Sequence, residues 1–179
     1  MNKLFIKTSA LAATVAFFGA LASPAMALTH SLRTFDAAAG SCQGALPNFE
    51  GSLRKRPLAV ANEGTTTAFV TCGIHIPSIF SVGGATNPGM DHAWVGFRNR
   101  SGADVTVNCS LVESNGDGTA QASIAKSITV AAGGFTEAQW DGTADHAGTN
   151  FRLPAFSCAL PPATDITHII YNYTMDVGS

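Results

Sequence analysis

The chain has 179 residues, 46% of them hydrophobic and only 12% charged, with a formal net charge of −2. That length fits one domain and argues against a multidomain machine. The near-neutral charge argues against a nucleic-acid partner, which calls for a basic excess, and the hydrophobic share excludes wholesale disorder.

Residues 1–27 carry the marks of a cleaved secretory signal peptide. Lys3 and Lys7 form a short positive start, Thr8 to Leu21 is an uncharged, largely apolar run, and Ala25-Met26-Ala27 is a small-x-small cleavage site. The run is short against the roughly 20 residues of a membrane span. The first cysteine is Cys42, so no lipid-anchoring cysteine follows the run. Cleavage removes two of the ten basic residues and leaves all twelve acids. The expected product is secreted, periplasmic or extracellular, mildly acidic, and without stable membrane insertion.

Residues 28–50 read as an irregular N-terminal arm punctuated by Gly40, Gly44 and Pro47, and residues 51–179 as the folded domain. Within that domain, period-two alternation marks strands. Residues 66–76 place Ala68, Val70, Cys72, Ile74 and Ile76 on one face. Residues 92–98 do the same with Ala93, Val95 and Phe97, and residues 104–112 with Val105, Val107, Cys109 and Leu111. Further runs lie at 56–61, 120–131, 134–140, 154–160 and 166–175, separated by turn signals such as Gly83-Gly84, Ser101-Gly102, Asn115-Gly116-Asp117-Gly118 and Gly133-Gly134. No stretch of the mature chain has a capped 3.6-residue period, and no internal repeat is visible. The expected fold is an all-β, single-domain β-sandwich of about eight strands, of jelly-roll or Ig-like type.

Four cysteines in an exported chain favour two disulfides. Their spacing contains no CxxC pair, so a zinc site is not expected. Three pairings are open. The favoured one joins Cys42 to Cys72, tying down the arm, and Cys109 to Cys158, joining two strand-like segments. Cys72 and Cys109 lie on inward faces, where they would act as staples between sheets.

The sequence holds no GxSxG elbow and no HExxH. The pairs Asp91-His92 and Asp145-His146 offer imidazole and carboxylate to a first-row metal, but polarity at strand ends explains them as well. Glu113 to Gly118 begins like a calcium loop, yet its twelfth position is Ile124 instead of an acid, so a hairpin turn is expected. Arg54-Lys55-Arg56, followed by Pro57, reads as a solvated strand start. No catalytic residue, metal or cofactor is assigned.

Trp94 is out of phase with the apolar face of its run and shares the other face with His92 and Arg98. An indole beside imidazole and guanidinium forms a ligand platform, because aromatic planes stack on sugar rings while polar neighbours hold hydroxyls. Trp140, at a strand end beside a polar loop, is a further candidate.

One set of segments runs from Arg56-Pro57-Leu58 through Asn62-Glu63-Gly64 into Ala68-Phe69-Val70-Thr71-Cys72, followed by Val105-Thr106-Val107-Asn108-Cys109 and Ser157-Cys158-Ala159-Leu160-Pro161-Pro162. Ile169-Ile170-Tyr171-Asn172-Tyr173 and the terminal Asp176-Val177-Gly178 complete the set. In these segments the chain resembles small uncharacterised secreted proteins of Gram-negative bacteria. The resemblance implies an exported β-sandwich and carries no activity.

The expected function is a non-enzymatic binding or structural role at the cell envelope or outside the cell. The partner would be a glycan, a cell-surface component or a second copy of the chain. A carbohydrate-binding module using the Trp94 face is the narrower alternative, and a metal-dependent or hydrolytic enzyme the other.

Overall fold

A computed structural model describes residues 29–76 and 89–176; the expected signal peptide lies outside the described residues. The alternation seen in the sequence turns every second side chain indoors, and the strands follow from it. Ala68, Val70 and Cys72 are all buried, as are Ala93, Val95 and Phe97, and Val107, Cys109 and Leu111.

In chain order the elements begin with β1 (Thr29–Ala37), the short helix α1 (Ala38–Ser41), β2 (Cys42–Gly44), α2 (Pro47–Glu50), β3 (Leu53–Arg56) and β4 (Ala59–Asn62). They continue with β5 (Ala68–Gly73), β6 (Gly89–Asn99), β7 (Val105–Ser114), β8 (Ala120–Val130) and β9 (Phe135–Asp141). The chain ends with α3 (Gly142–Asp145), β10 (Pro154–Leu160) and β11 (Thr164–Asp176).

All strand pairs among the described residues are antiparallel. One sheet has the order β3-β4-β11-β6-β9, with β1 also on β11; the other has the order β2-β5-β10-β7-β8. From β4 onward successive strands cross between the sheets, except at the β7–β8 hairpin. The resulting order of β4-β11-β6-β9 over β5-β10-β7-β8 is that of a jelly roll, which decides between the two expected sandwich types. One apolar core fills the space between the sheets, with Trp140, Tyr171, Phe97, Phe151 and Phe156 its largest fully buried members.

Two features differ from the sequence reading. Much of the segment expected to be an irregular arm is strand: β1 pairs with β11 from Thr29↔Asp176 to Ala37↔His168, and β2 pairs with β5. The alternation in β1 is hard to see because its half-buried side carries Thr34 and Asp36, whereas its exposed side carries Phe35.

The disulfides Cys42–Cys72 and Cys109–Cys158 are formed, but each lies within the five-stranded sheet and not between the sheets. In both cases the partners sit directly opposite each other on neighbouring strands, with Cα atoms 4.0 Å apart. The bridges lock β2 to β5 and β7 to β10.

Two buried asparagines link the sheets instead. Asn62 at the end of β4 donates through Nδ2 to the Leu160 carbonyl of β10 at 2.8 Å, while its Oδ1 accepts from the Gly64 N–H. Asn99 at the end of β6 donates to the carbonyls of Ala103, Val130 and Ala131, and its Oδ1 accepts from the Ser101 N–H and hydroxyl. An alanine at Asn99 removes all of these bonds at once, leaving the Ala103 and Ala131 carbonyls only their contacts with the Ser101 hydroxyl and the Gly134 N–H. Asn99→Ala is therefore expected to lower stability by about 1–3 kcal/mol, measured by denaturant unfolding with the disulfides intact.

Candidate functional site

The outer face of the six-stranded sheet carries the candidate functional groups. Strand β6 places His92, Trp94, Gly96 and Arg98 there, because its other side holds Ala93, Val95 and Phe97 in the core. Register then brings Asn172, Ile170 and His168 of β11 alongside His92, Trp94 and Gly96. On the far side, β9 supplies Asp141, Gln139 and Glu137 opposite the same three. Strand β1 adds Arg33 and Phe35, opposite Asn172 and Ile170.

Two register shifts crowd this face. Ile166 pairs with Phe97 and His168 with Gly96, so Thr167 is an extra residue on β11. Asn172 pairs with His92 and Tyr173 with Met90, so Asp91 is an extra residue on β6. A bulge of this kind re-aims side chains. Both Ile166 and Ile169 stay in the core, as do Met90 and Ala93, leaving Thr167-His168 and Asp91-His92 between them as adjacent pairs.

The consequences are visible around His168 and His92. A Cβ on Gly96 would stand 2.6 Å from both His168 Cε1 and Thr167 Oγ1, so only glycine fits beneath them. The His168 ring lies between Phe35 and Phe135, with centroids at 5.2 and 5.9 Å, and its Nε2 is 2.9 Å from Glu137 Oε1. His92 Nε2 is 3.1 Å from Asp141 Oδ2, and its Nδ1 is 3.4 Å from Asp91 Oδ2. Its ring is nearly parallel to Trp94, at 5.6 Å. The Arg33 guanidinium lies over the Trp94 ring, 5.0 Å from its centroid.

Asp141 also caps α3, accepting from the N–H groups of Thr143 at 2.7 Å and Ala144 at 3.2 Å. These bonds, the Thr143 one first, and the facing His92 hold its carboxyl below the usual carboxylate range. Burial pushes Asp145 upward, but the Lys126 ammonium at 2.7 Å and the Asp141 N–H outweigh it and leave Asp145 lowered as well.

Among the expected site residues, the structure brings His92 and Trp94 together. Arg98 lies further along the same strand, where it lines a groove of about 440 Å³ with Arg56, Arg100 and Asp165. Trp140 departs from expectation. It is 0% exposed, donates its indole N–H to the Ile124 carbonyl at 2.8 Å, and packs against Phe156 inside the core. Its alternation with the buried Ala138 turns it away from the face that Gln139 and Asp141 occupy.

The acidic turn between β7 and β8 is a hairpin turn in which Asp117 accepts from the Thr119 N–H and hydroxyl. Glu113 points inward instead, where it faces His146 Nε2 at 3.1 Å and accepts from the Arg152 N–H. Among the described residues no three His, Cys, Asp or Glu side chains gather so as to hold a metal ion. Sequence reasoning missed Arg33, Phe35, Phe135, Glu137 and His168. The alternation in 134–140 already pointed Phe135 and Glu137 to the side opposite Trp140, whereas His168 needs the β11 bulge to reach this face.

The outer face of the other sheet is different in kind. Thr71, Ser157, Ser110 and Ala125 form one cross-strand row, and Phe69, Ala159, Asn108 and Ser127 the next, with the exposed Phe69 ring 5.4 Å from that of Phe49. Small neutral groups dominate it.

No protein-family model and no curated protein matches the sequence. Solved structures with some likeness include a Podospora anserina GH26-CBM35 β-(1,4)-mannanase, with a TM-score of 0.41 and 10% identity over 79% of this chain. Another is an exo-β-1,3-galactanase from Phanerochaete chrysosporium, with a TM-score of 0.40 and 18% identity over 78% of this chain. This chain spans 27% and 29% of those two enzymes. A mutant of CBM29-2, a family 29 carbohydrate-binding module, gives a TM-score of 0.39 and 12% identity over 84% of this chain and 94% of the module.

Two outcomes follow from the geometry. Gly96→Ala forces a Cβ against the pinned His168 ring. It should cost roughly 1–3 kcal/mol in denaturant unfolding and shift the His168 ring resonances. The ionised forms of Asp141 and Asp145 stabilise the fold above the unfolded carboxylate value of about 3.9, and that contribution is lost as pH falls through their lowered folded values. Acidification below about pH 4 should loosen α3, read from the amide signals of Thr143 and Ala144. Asp145→Asn should flatten the acid limb of the stability curve.

Proposed function

We propose that the chain is an exported, non-enzymatic protein that binds glycans through the outer face of the six-stranded sheet, centred on Trp94. The observation that carries this reading is the mixture on that face: Trp94 with Phe35 and Phe135, which are 65% and 53% exposed, interleaved with His92, Glu137, Gln139 and Asp141. Sugar rings present C–H faces that stack on aromatic planes and hydroxyl edges that need donors and acceptors close by. The carboxylate and amide oxygens flanking the rings accept from hydroxyls.

Arg33 is the movable cover of the indole. Its guanidinium rests over the ring, an interaction worth about 0.5–1 kcal/mol at an exposed site. A sugar ring takes over that contact and gains the guanidinium's donors at its edge. Secretion is supported by the signal-like residues 1–27 and by two formed disulfides, which persist in oxidising compartments. Among the described residues no helix is long and apolar enough to cross a membrane.

Affinity electrophoresis through gels containing mannan, galactan, xylan, cellulose derivatives or polygalacturonate is the direct test. The wild type should be retarded by at least one of these. Trp94→Ala should migrate as in an empty gel while keeping its far-UV circular dichroism. A wild type retarded by none of them overturns the reading.

A further inference from the structure

The groove beyond Trp94 narrows the ligand class, an inference that rests on the glycan reading above. Arg98 lies six residues along β6, on the same outer face as His92 and about 20 Å away from it. Three guanidinium groups, from Arg56, Arg98 and Arg100, line the groove, with Pro57 and Leu58 as apolar wall; Leu58 is among the most exposed large apolar residues.

The charge there is unbalanced. Arg100 Nε is bonded to Asp165 Oδ1 at 2.8 Å. Arg56 pairs with Glu63, and Arg54 approaches the same carboxylate at 3.9 Å. Two acids therefore serve three arginines. Arg98 stands directly across from Asp165 in the β6–β11 register, but among the described residues no carboxylate pairs with it. An unmatched guanidinium at the mouth of a groove of about 440 Å³, in a chain whose net charge is negative, is placed to receive an anion. Guanidinium forks match planar and tetrahedral oxyanions through paired N–H donors. A saccharide chain laid along β6 with one ring on Trp94 brings a later unit to Arg98. We propose that the groove binds the oxyanion of an acidic glycan, a uronic carboxylate or a sulfate ester, with Arg98 as its principal contact.

The test uses matched polysaccharides and titration calorimetry on the disulfide-bonded protein. Polygalacturonate is compared with its fully methyl-esterified form, and dextran sulfate with dextran, so that the two arms separate carboxylate from sulfate. In at least one arm the anionic form should bind roughly tenfold tighter than its neutral counterpart. Arg98→Ala should abolish that difference while retaining the neutral form's affinity, and its exposed side chain makes an unchanged melting temperature the control for folding. The advantage should also shrink with added salt.

Equal binding of the anionic and neutral forms in both arms overturns the inference and leaves the glycan reading standing. So does an acid preference that survives Arg98→Ala. Competition by inorganic polyphosphate as effective as that by the acidic polysaccharide overturns it as well, since the groove would then be a general polyanion site. Binding to none of the four polysaccharides also overturns the inference, whereas the glycan reading it rests on falls only if the gel series above shows no retardation either.

Discussion

The pairing of β6 with β11 is the constraint on which the rest of the molecule depends. It is the longest ladder of the six-stranded sheet and the central one, with β9 beyond β6 and both β1 and β4 beyond β11. A sheet has period two, so a single extra residue exchanges its inner and outer faces downstream. The ladder contains two such residues, Asp91 on β6 and Thr167 on β11. Without them, the residues kept in the core on either side of each bulge would fall out of phase: Met90 with Ala93, and Ile166 with Ile169. Satisfying the core on both sides sets Asp91-His92 and Thr167-His168 side by side. The crowded imidazole over Gly96 and the carboxylate beside His92 both follow from that one requirement.

This explains how far the sequence could be read. Strands whose buried positions are apolar and whose exposed positions are polar, such as β5 and β7, declare themselves through strict alternation. Strand β1 does not, because Thr34 and Asp36 lie on its half-buried side while Phe35 is exposed, which reverses the usual polarity on both sides. Trp94 was legible as an outward residue from the phase of Ala93, Val95 and Phe97. Trp140 was equally legible as an inward one from Ala138, yet a neighbouring polar loop outweighed the phase in reading it. The bulges leave only a slip in periodicity, visible as Met90 and Ala93 three apart, and nothing local says which strand will absorb it. The cysteine pairing could be favoured from the sequence, but its setting within one sheet depends on register, which requires the partner strands.

The connections between the sheets are made with different chemistry from those within them. Disulfides secure β2 to β5 and β7 to β10 inside the five-stranded sheet. Asn62 and Asn99 cross from the ends of β4 and β6 to carbonyls of the opposite sheet. An amide serves well there because strand ends leave carbonyls unpaired, and a buried unpaired carbonyl is costly. The same two residues shape the adjoining turns, through Gly64 and Ser101. The rim near Asn62 is thereby fixed beside the arginine groove: Arg100 Nη2 donates to the Asn62 carbonyl at 3.2 Å while its Nε holds Asp165.

A sandwich of this size has two outer faces, and the chain uses them unequally. A solvated sheet face needs only to be polar enough to stay in water, and the five-stranded sheet meets that need mainly with serine, threonine, asparagine and alanine, with Phe69 resting against Phe49. The charged and aromatic groups are gathered on the other one, where three exposed or half-exposed rings, two imidazoles, three carboxylates and a glycine kept small by its neighbours share a few cross-strand rows. Exposed phenylalanines and a half-covered indole have no favourable role in water, and the β6–β11 bulges do not require them. On the six-stranded sheet they stand beside hydrogen-bonding groups, whereas on the five-stranded sheet Phe69 packs against Phe49 among small neutral groups, and the proposed site rests on that contrast.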